Sequence, residues 1–395
     1  MSSTRTIFWA CLLVALHPLS AAGMLSEAAP LFTRIGDPVS VPAEIVGHAM
    51  FVDVMVNGHG PFRVLVDTGC SVTLISPELA TAVGAVVPDQ IQDFVVAQNG
   101  LGDTTNVAPV VIESIELGGV RFEDVPAAVS SSFDRLSTIQ GRRIDGALGF
   151  PLFSDLYVGL DFPNQRVLLG REWPASVPAI QAGLPVVEHA DVPFIQVQMQ
   201  GKPIEVMIDT GSNHGLQLPA QLVSSLQWKV EPRVGSMVAV VGEVGREQIG
   251  RLAGSLLLGA IQEVEPTAVV SAGPASIGLR SLERFCVIFH PSENMVWLCR
   301  SDSAPIMPIA ERSIGLSLYP DQGGLRIAGV IPGSPAEEAN LGSGTLVTQI
   351  EHRPAASWTR DQMEQWINSR PDIALVVAGE AGERALTLRV WDLVP

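Results

Sequence analysis

The chain has 395 residues, of which 47% are hydrophobic and only 16% charged, and its formal net charge is −17. This length suggests two or three domains, and the apolar fraction is too high for a disordered protein. Lysine occurs only at Lys202 and Lys229, so the acidic chain lacks the basic patch that nucleic acids and anionic membranes require. With 37 glycines and 29 prolines, the composition favours many short strands over long helices.

Residues 1–22 have the pattern of an export signal. Arg5 supplies the positive start, residues 7–16 form an apolar run, and small residues at 20–22 offer a cleavage site. The run is short for a membrane-spanning helix, which needs about 20 residues; an uncleaved anchor is the alternative. We therefore expect an exported protein, periplasmic or secreted through a bacterial signal peptide, with no integral membrane span after signal removal. Residues 23–40 fit either a short pro-segment or a leading strand.

Removal of the signal leaves three cysteines, and an odd number argues against a disulfide scaffold. Cys286 and Cys299 lie on two apolar runs. A hairpin with its loop at residues 291–294 would place them directly opposite each other. Opposed positions are close enough for a disulfide in an exported protein, and two buried free thiols are the alternative.

An internal repeat dominates the chain. Residues 51–69 align with residues 194–211, and each copy shows an alternating strand, a glycine turn, a second strand and Asp-Thr-Gly. Residues 146–170 likewise align with residues 275–299, which pairs Gly149 with Gly278. The pattern predicts two copies of one β fold related by an approximate two-fold axis, a first lobe over 40–172 and a second over 190–300, with a proline-rich linker between them.

The motifs Asp67-Thr68-Gly69 and Asp209-Thr210-Gly211 occupy the same place in the two copies. A lone carboxylate at the end of a buried strand is costly, so we expect the two to meet at the two-fold axis. Carboxylates that close cannot both ionise and share one proton. One then removes a proton from water while the other donates to a carbonyl oxygen, which is acid–base chemistry suited to amide hydrolysis. Glycine permits the tight turn, and the threonine hydroxyls are placed to hydrogen-bond across the copies.

On these motifs the repeat resembles the retropepsin-type aspartic proteases, with two lobes in one chain as in pepsin-like enzymes. The resemblance covers about residues 40–300 and includes the family's apolar-apolar-Gly turns at residues 147–149 and 276–278. It implies a mainly β, two-lobed acid-protease barrel fold and an aspartic endopeptidase. The residues that it assigns to the active site are catalytic Asp67 and Asp209, with Thr68, Gly69, Thr210, Gly211 and Ser212 in support.

Two positions depart from the family pattern. Cys70 stands where the family usually has Ala or Ser, and Asn213-His214 stands where it prefers apolar residues. These polar side chains would flank the second aspartate, where they shift its pKa, contact substrate, or mark a lobe that is drifting away from catalysis.

The family covers its cleft with glycine-rich flaps, and the candidates here contain Gly100 and Gly102 in the first copy and Gly242 and Gly245 in the second. Plain surface turns are the alternative. The histidines lack metal-ligand spacing, so we expect no metal and no cofactor. Neither a nucleophile elbow nor a histidine base beside Cys70 supports serine or thiol catalysis.

Residues 324–344 resemble the centre of a PDZ domain of the bacterial export-protease kind, within a small α+β module over 312–395. Ile314, Gly315 and Leu316 match the loop that holds a peptide's terminal carboxylate, and a peptide would add as a strand beside them. Gly344-Thr345 replaces the family's Gly-Asp. A generic small α+β domain is the alternative.

Together these features predict an exported aspartic endopeptidase that acts on protein or peptide substrates. Its PDZ module would bind C-terminal peptides, recruit substrate or restrain the protease. The alternative is a non-catalytic peptide-binding adaptor on a degenerate protease fold. A larger assembly is not needed for the dyad, because one chain supplies both aspartates.

Overall fold

The computed structural model describes residues 15–16, 31–32, 38–85, 95–98, 104–140, 142–173, 177, 180–189, 191–239, 244–290, 293–379 and 382–395. Strands dominate it and its helices are short, so the predicted mainly β class is confirmed. In the described part of the chain, no helix is long and apolar enough to cross a membrane.

The elements fall into three consecutive groups. The first copy of the repeat and the segment before it contain β1 (Ala15–Leu16), β2 (Leu31–Phe32), β3 (Val39–Pro42), β4 (Glu44–Ile45), β5 (Met50–Val56), β6 (His59–Asp67), β7 (Thr73–Ile75), α1 (Pro77–Ala82), β8 (Val95–Gln98), β9 (Thr104–Leu117), β10 (Val120–Val129), α2 (Ser132–Gln140), β11 (Gly146–Gly149), a 3-10 turn (Phe150–Phe153), β12 (Tyr157–Asp161) and β13 (Arg166–Gly170). The second copy contains β14 (Ile180–His189), β15 (Val192–Met199), β16 (Lys202–Asp209), β17 (Leu216–Pro219), α3 (Ala220–Val223), β18 (Trp228–Ala239), β19 (Val244–Leu252), β20 (Ser255–Leu258), β21 (Ile261–Val264), β22 (Thr267–Ser271), β23 (Ser276–Gly278), α4 (Leu279–Leu282), β24 (Cys286–His290) and β25 (Met295–Cys299). The C-terminal module contains β26 (Glu311–Ser313), β27 (Leu316–Asp321), β28 (Gly324–Val330), α5 (Pro335–Glu338), β29 (Leu346–Ile350), β30 (Arg353–Pro354), a 3-10 turn (Ala355–Ser357), α6 (Arg360–Ser369), β31 (Asp372–Gly379), β32 (Gly382–Arg389) and β33 (Trp391–Val394).

Each copy begins with the hairpin that its sequence predicts. Strands β5 and β6 pair antiparallel, as do β15 and β16. Their turns, Asn57-Gly58 and Gln200-Gly201, place both central residues at positive φ, at 49° and 75° in the first and 52° and 75° in the second. This backbone matches the right-handed twist of the flanking strands. The second strand of each hairpin delivers the Asp-Thr-Gly motif.

The glycine turns that follow in each copy lie beside the aspartates. Strand β11 pairs in parallel with β6, which places Gly149 opposite Asp67. Strand β23 pairs in the same way with β16, which places Gly278 opposite Asp209. Each of these strands also pairs antiparallel with a third strand, β7 or β17. The two copies therefore hold their aspartates in the same topology.

Six strands join the two copies in one sheet, in the order β14, β25, β24, β12, β13 and β3. At its centre Gly159 of β12 pairs with Ile288 of β24. These two residues occupy equivalent positions in the two copies when Gly149 is aligned with Gly278. The approximate two-fold axis passes through this pair. A single cluster of buried apolar residues extends through both copies.

The hairpin of β24 and β25 has the register that the sequence predicts, with Cys286 directly opposite Cys299. Both thiols are buried and free in this structure, and Cys70 is also buried. Burial raises the pKa of the Cys299 thiol to about 11, so it stays protonated at neutral pH. A disulfide between the two remains a prediction.

The C-terminal module has its own sheet, in the order β27, β28, β29, β31 and β32, with β30 beside β29. Helix α6 packs its half-buried Met363, Trp366 and Ile367 against the module's core. Thr359 caps this helix, because its side chain accepts a hydrogen bond from Gln362 N while the Gln362 side chain accepts one from Thr359 N.

The module is fixed to the second copy by a buried arginine. Arg251 is 2% exposed and donates hydrogen bonds to backbone oxygens of the second copy, of the module, and of the linker at residues 301–311 that joins the two. The acceptors are Glu265 O, Ile309 O, Val394 O and Pro395 O. Beside it, Ile249 and Val269 of the second copy pack against Ile331, Leu393 and Val394 of the module.

Candidate active site

Asp67 and Asp209 lie at the ends of β6 and β16, deep in the molecule, where their exposed fractions are 0% and 1%. Each glycine turn packs directly on the carboxylate of the other copy. A Cβ atom on Gly69 would lie closer than 3.0 Å to Asp209 Oδ1, and one on Gly211 would lie equally close to the Asp67 carboxylate. The structure thus brings the two predicted aspartates together across the two-fold axis.

The two threonines link the copies by reciprocal hydrogen bonds. Thr68 N donates to Thr210 Oγ1 at 3.0 Å, and Thr210 N donates to Thr68 Oγ1 at 3.1 Å. Each hydroxyl then donates to a backbone oxygen of the opposite copy at 2.7 Å, Thr68 to Ile208 O and Thr210 to Val66 O. Because all these groups are buried, loss of one would leave partners unsatisfied, and the network holds the two turns in a fixed relation.

Backbone amides also position the carboxylates. Gly69 N donates to Asp67 Oδ1 at 3.0 Å, and Gly211 N and Ser212 N donate to Asp209 Oδ1 at 3.0 and 3.1 Å. Burial and the negative charge of Asp209 raise the pKa of Asp67 well above its usual range, against the lowering effect of the amides. The pair therefore retains a proton at a pH where an isolated aspartate has lost it.

The apolar-apolar-Gly turns support both loops from behind. Phe150 N donates to Cys70 O at 2.9 Å, and Leu279 N donates to Ser212 O at 2.7 Å. A side chain on either preceding glycine would collide with these loops. Cys70 takes the serine position without disruption, because its thiol donates to Val72 O at 2.9 Å. Ser212 Oγ instead accepts from Gln217 Nε2 at 2.6 Å.

Asn213 and His214 directly follow this loop and lie beside the C-terminal module. Burial, together with the charges of Arg360 and Arg280, lowers the pKa of His214 to about 3, so the ring is neutral over the usual pH range. Its Nδ1 lies 3.9 Å from Glu247 Oε2. Burial raises the pKa of Glu247 to about 7.

Sequence reasoning identified Asn213 and His214 as departures from the family pattern, but it missed Glu247, Arg280 and Arg360. These three residues come from separate parts of the chain, and no local motif marks them. Among the described residues, no three His, Cys, Asp or Glu side chains are grouped as a metal site would require.

The candidate flaps are only partly described. Gly100, Gly102 and Gly242 lie outside the described residues, whereas Gly245 lies in β19 and pairs with Val238. The strands that flank the two segments form hairpins, β8 with β9 and β18 with β19. The assignment of these segments as flaps remains a prediction.

The three residues predicted to bind peptide in the module have different surroundings. Ile314 is buried in the module's core, and Leu316 is half-buried at the start of β27. Gly315 has φ of 88°, and its N–H donates to Ser313 Oγ at 2.9 Å. The side chain of Ile314 therefore stabilises the module, and only its backbone is suited to contact a peptide.

Comparisons with known proteins found one family match, in the first copy, and similarity to a solved structure over a larger part of the chain. Residues 52–152, which include Asp67 and the Gly149 turn, match the family model described as aspartyl protease, and this match supports an aspartic protease family for the chain. The crystal structure of basic 7S globulin from soybean is similar over 68% of this chain and 95% of that chain, with 12% sequence identity and a TM-score of 0.40. No curated protein matches the chain.

Proposed function

We propose that the protein is an exported aspartic endopeptidase in which Asp67 and Asp209 share one proton and activate water for hydrolysis of a peptide bond. The observation that carries the proposal is the mutual packing of two buried carboxylates, each under the glycine turn of the other copy. The family match at residues 52–152 supports a peptidase and a protein substrate.

The reaction would use the two carboxyl groups in opposite protonation states. The ionised one removes a proton from water as the water oxygen attacks the scissile carbonyl carbon, while the protonated one donates to the carbonyl oxygen. The roles reverse when the tetrahedral intermediate collapses, because a carboxyl group then donates a proton to the nitrogen, the C–N bond breaks and the amine departs. The raised pKa of Asp67 supports this arrangement, because it keeps one carboxyl protonated beside its ionised partner. The threonine network keeps both groups in place throughout.

The proposal also includes export of the protein and a peptide-binding or regulatory role for its C-terminal module. The signal pattern of residues 1–22 supports export to the periplasm or the outside of the cell. Residues 312–395 would be a PDZ module that binds a C-terminal peptide or regulates access, supported by the PGSPA sequence and by the strand β27 that follows Gly315.

The test is cleavage of casein by the purified chain, with products compared by mass spectrometry. Asp67→Asn and Asp209→Asn should each abolish the products, because the dyad then lacks a carboxylate. Asp53→Asn, at an exposed position of β5, is the matched control and should cleave like the wild type. Cleavage that survives both dyad variants would refute the proposal. Binding of extended peptides without any cleavage would favour the adaptor alternative.

A further inference from the structure

The loops that carry the two aspartates differ in one buried pair of side chains. In the first copy, Cys70 and Leu74 belong to the same buried apolar cluster. In the second copy, the corresponding residues are Ser212 and Gln217. Leu74 and Gln217 correspond because each pairs with the first residue of the apolar-apolar-Gly turn of its own copy. A polar pair in the second copy thus replaces an apolar pair in the first, and the two halves of the dyad have different support.

Gln217 is buried beside the loop and fixes the side chain of Ser212. It is 4% exposed, and its Nε2 donates a hydrogen bond to Ser212 Oγ at 2.6 Å. The same oxygen accepts a second hydrogen bond from His214 N at 3.3 Å. A serine hydroxyl has two lone pairs that can accept, so both are occupied here. The Ser212 side chain is therefore held in one position within a buried environment.

The backbone of Ser212 in turn holds Asp209. Ser212 N donates to Asp209 Oδ1 at 3.1 Å and to Asp209 O at 3.2 Å. Behind the loop, Ser212 O accepts from Leu279 N at 2.7 Å. A hydrogen bond donated to a carboxylate oxygen stabilises the ionised form of that carboxyl group. A chain of hydrogen bonds therefore runs from Gln217 through Ser212 to the second aspartate.

We propose that Gln217 is a positioning residue of the peptidase, which holds Ser212 N on Asp209 and so makes Asp209 the member of the dyad that carries the negative charge. The inference rests on the proposed function. Asp67, which faces Asp209 across the two-fold axis, then keeps the shared proton, in agreement with its raised pKa. His214, two residues beyond Ser212, is neutral above about pH 3, because burial lowers the pKa of its ring. It therefore adds no charge to the loop.

The first test is the pH profile of cleavage. Gln217→Leu removes the donor at nearly constant volume and introduces the residue type that the first copy has. Ionised Asp209 then loses support, so the dyad first loses a proton at a higher pH. The acid limb of kcat/KM for casein should move up by about half a pH unit, while KM at the optimum stays unchanged. Gln196→Leu, at an exposed position of β15, is the matched control and should leave the limb in place.

Double variants show whether Gln217 acts through the Ser212 hydroxyl. In a Ser212→Ala background the acceptor is absent, so Gln217→Leu should cause no further shift of the limb. A shift of the same size with and without the hydroxyl would overturn the inference. Ser212→Cys combined with Gln217→Leu gives the second copy the side-chain pair that the first copy already packs, and it should also raise the limb. Thermal unfolding checks that each variant is folded.

A titration without turnover separates this inference from the proposed function. Carbon-13 NMR of aspartate-labelled protein follows the carboxyl groups, and Asp67→Asn and Asp209→Asn assign the two resonances. Asp209 should ionise first in the wild type, and at a higher pH in Gln217→Leu. If the wild type cuts casein while Gln217→Leu changes neither the limb nor the titration, the positioning role is refuted and the peptidase stands. If nothing is cut but Gln217→Leu moves the titration upward, Gln217 sets the charge on Asp209 and the peptidase is refuted.

Discussion

At the scale of single residues, Gly69 and Gly211 decide whether the two carboxylates can meet. A methyl group on either glycine would occupy the space of the opposing carboxylate. We predict that Gly211→Ala lowers the kcat for casein by roughly a hundredfold, since small misplacements of reacting groups cost about that much. Steady-state kinetics would measure this effect. Gly342→Ala, where a Cβ atom meets open space, is the control, and equal kcat values in the two variants would contradict the geometry.

The pairing of the two aspartates was predictable because its signal is local and duplicated. Two Asp-Thr-Gly motifs in register predict Asp67 and Asp209 as partners, and the Gly149 and Gly278 turns follow from the same repeat. The surroundings of His214 were not predictable, because Glu247 and Arg360 come from separate elements. The one available signal was Asn213, a polar residue where the resemblance calls for an apolar one.

At the scale of elements, a short loop of the first copy holds the start of α6. Gly47 N donates to Asp361 Oδ1 at 2.9 Å. His48 Nδ1 lies 2.8 Å from Glu283 Oε2, and its Nε2 lies 3.6 Å from Glu364 Oε1. Burial lowers the pKa of His48, but hydrogen bonds to the two carboxylates outweigh burial and raise it to about 9. Glu364 shows the reciprocal effect, since the hydrogen bond from His48 lowers its pKa to about 2.

This pairing predicts a loss of stability in alkali. The folded pKa of His48 lies above its unfolded value of 6.5, so its contribution is complete below that pH and disappears as the pH rises through about 9. The free energy of unfolding should fall by up to about 3 kcal/mol over this window. His48→Gln should flatten the dependence of the free energy of unfolding on pH, whereas His59→Gln, at an exposed position, should leave that dependence unchanged. Denaturant unfolding at a series of pH values measures this fall in the free energy of unfolding. Parallel profiles for wild type and His48→Gln would contradict the prediction.

The elements themselves were largely predictable. The paired hairpins and the register of Cys286 with Cys299 both follow from short-range patterns. The docking of α6 on His48 and Glu283 does not. These contacts join residues that are far apart in the chain, and a hydrophobic or charged pattern within one element does not specify its tertiary partner.

At the scale of the whole molecule, one sheet and one buried apolar cluster connect the two copies. The sequence predicted two units joined by a linker, and the structure shows six strands from both copies in one sheet over a common apolar cluster. Such sharing keeps the two Asp-Thr-Gly turns in register, because neither copy can shift without breaking the central sheet. Rigid placement of this kind is what a dyad built from two distant segments requires.

The C-terminal module is held to this body by Arg251, which predicts how the molecule unfolds. The buried guanidinium donates to carbonyls of the second copy, the linker and the module, so the three should unfold together in one calorimetric transition. Arg251→Leu leaves those carbonyls without their donor, and each buried acceptor left unsatisfied costs about 1–3 kcal/mol. We expect a separate, earlier transition for the module and faster proteolysis at residues 301–305, which are the exposed start of the linker. Exposed Arg389→Leu is the control. A single transition with unchanged Tm in Arg251→Leu would show that the apolar contacts around Ile331 suffice to hold the module.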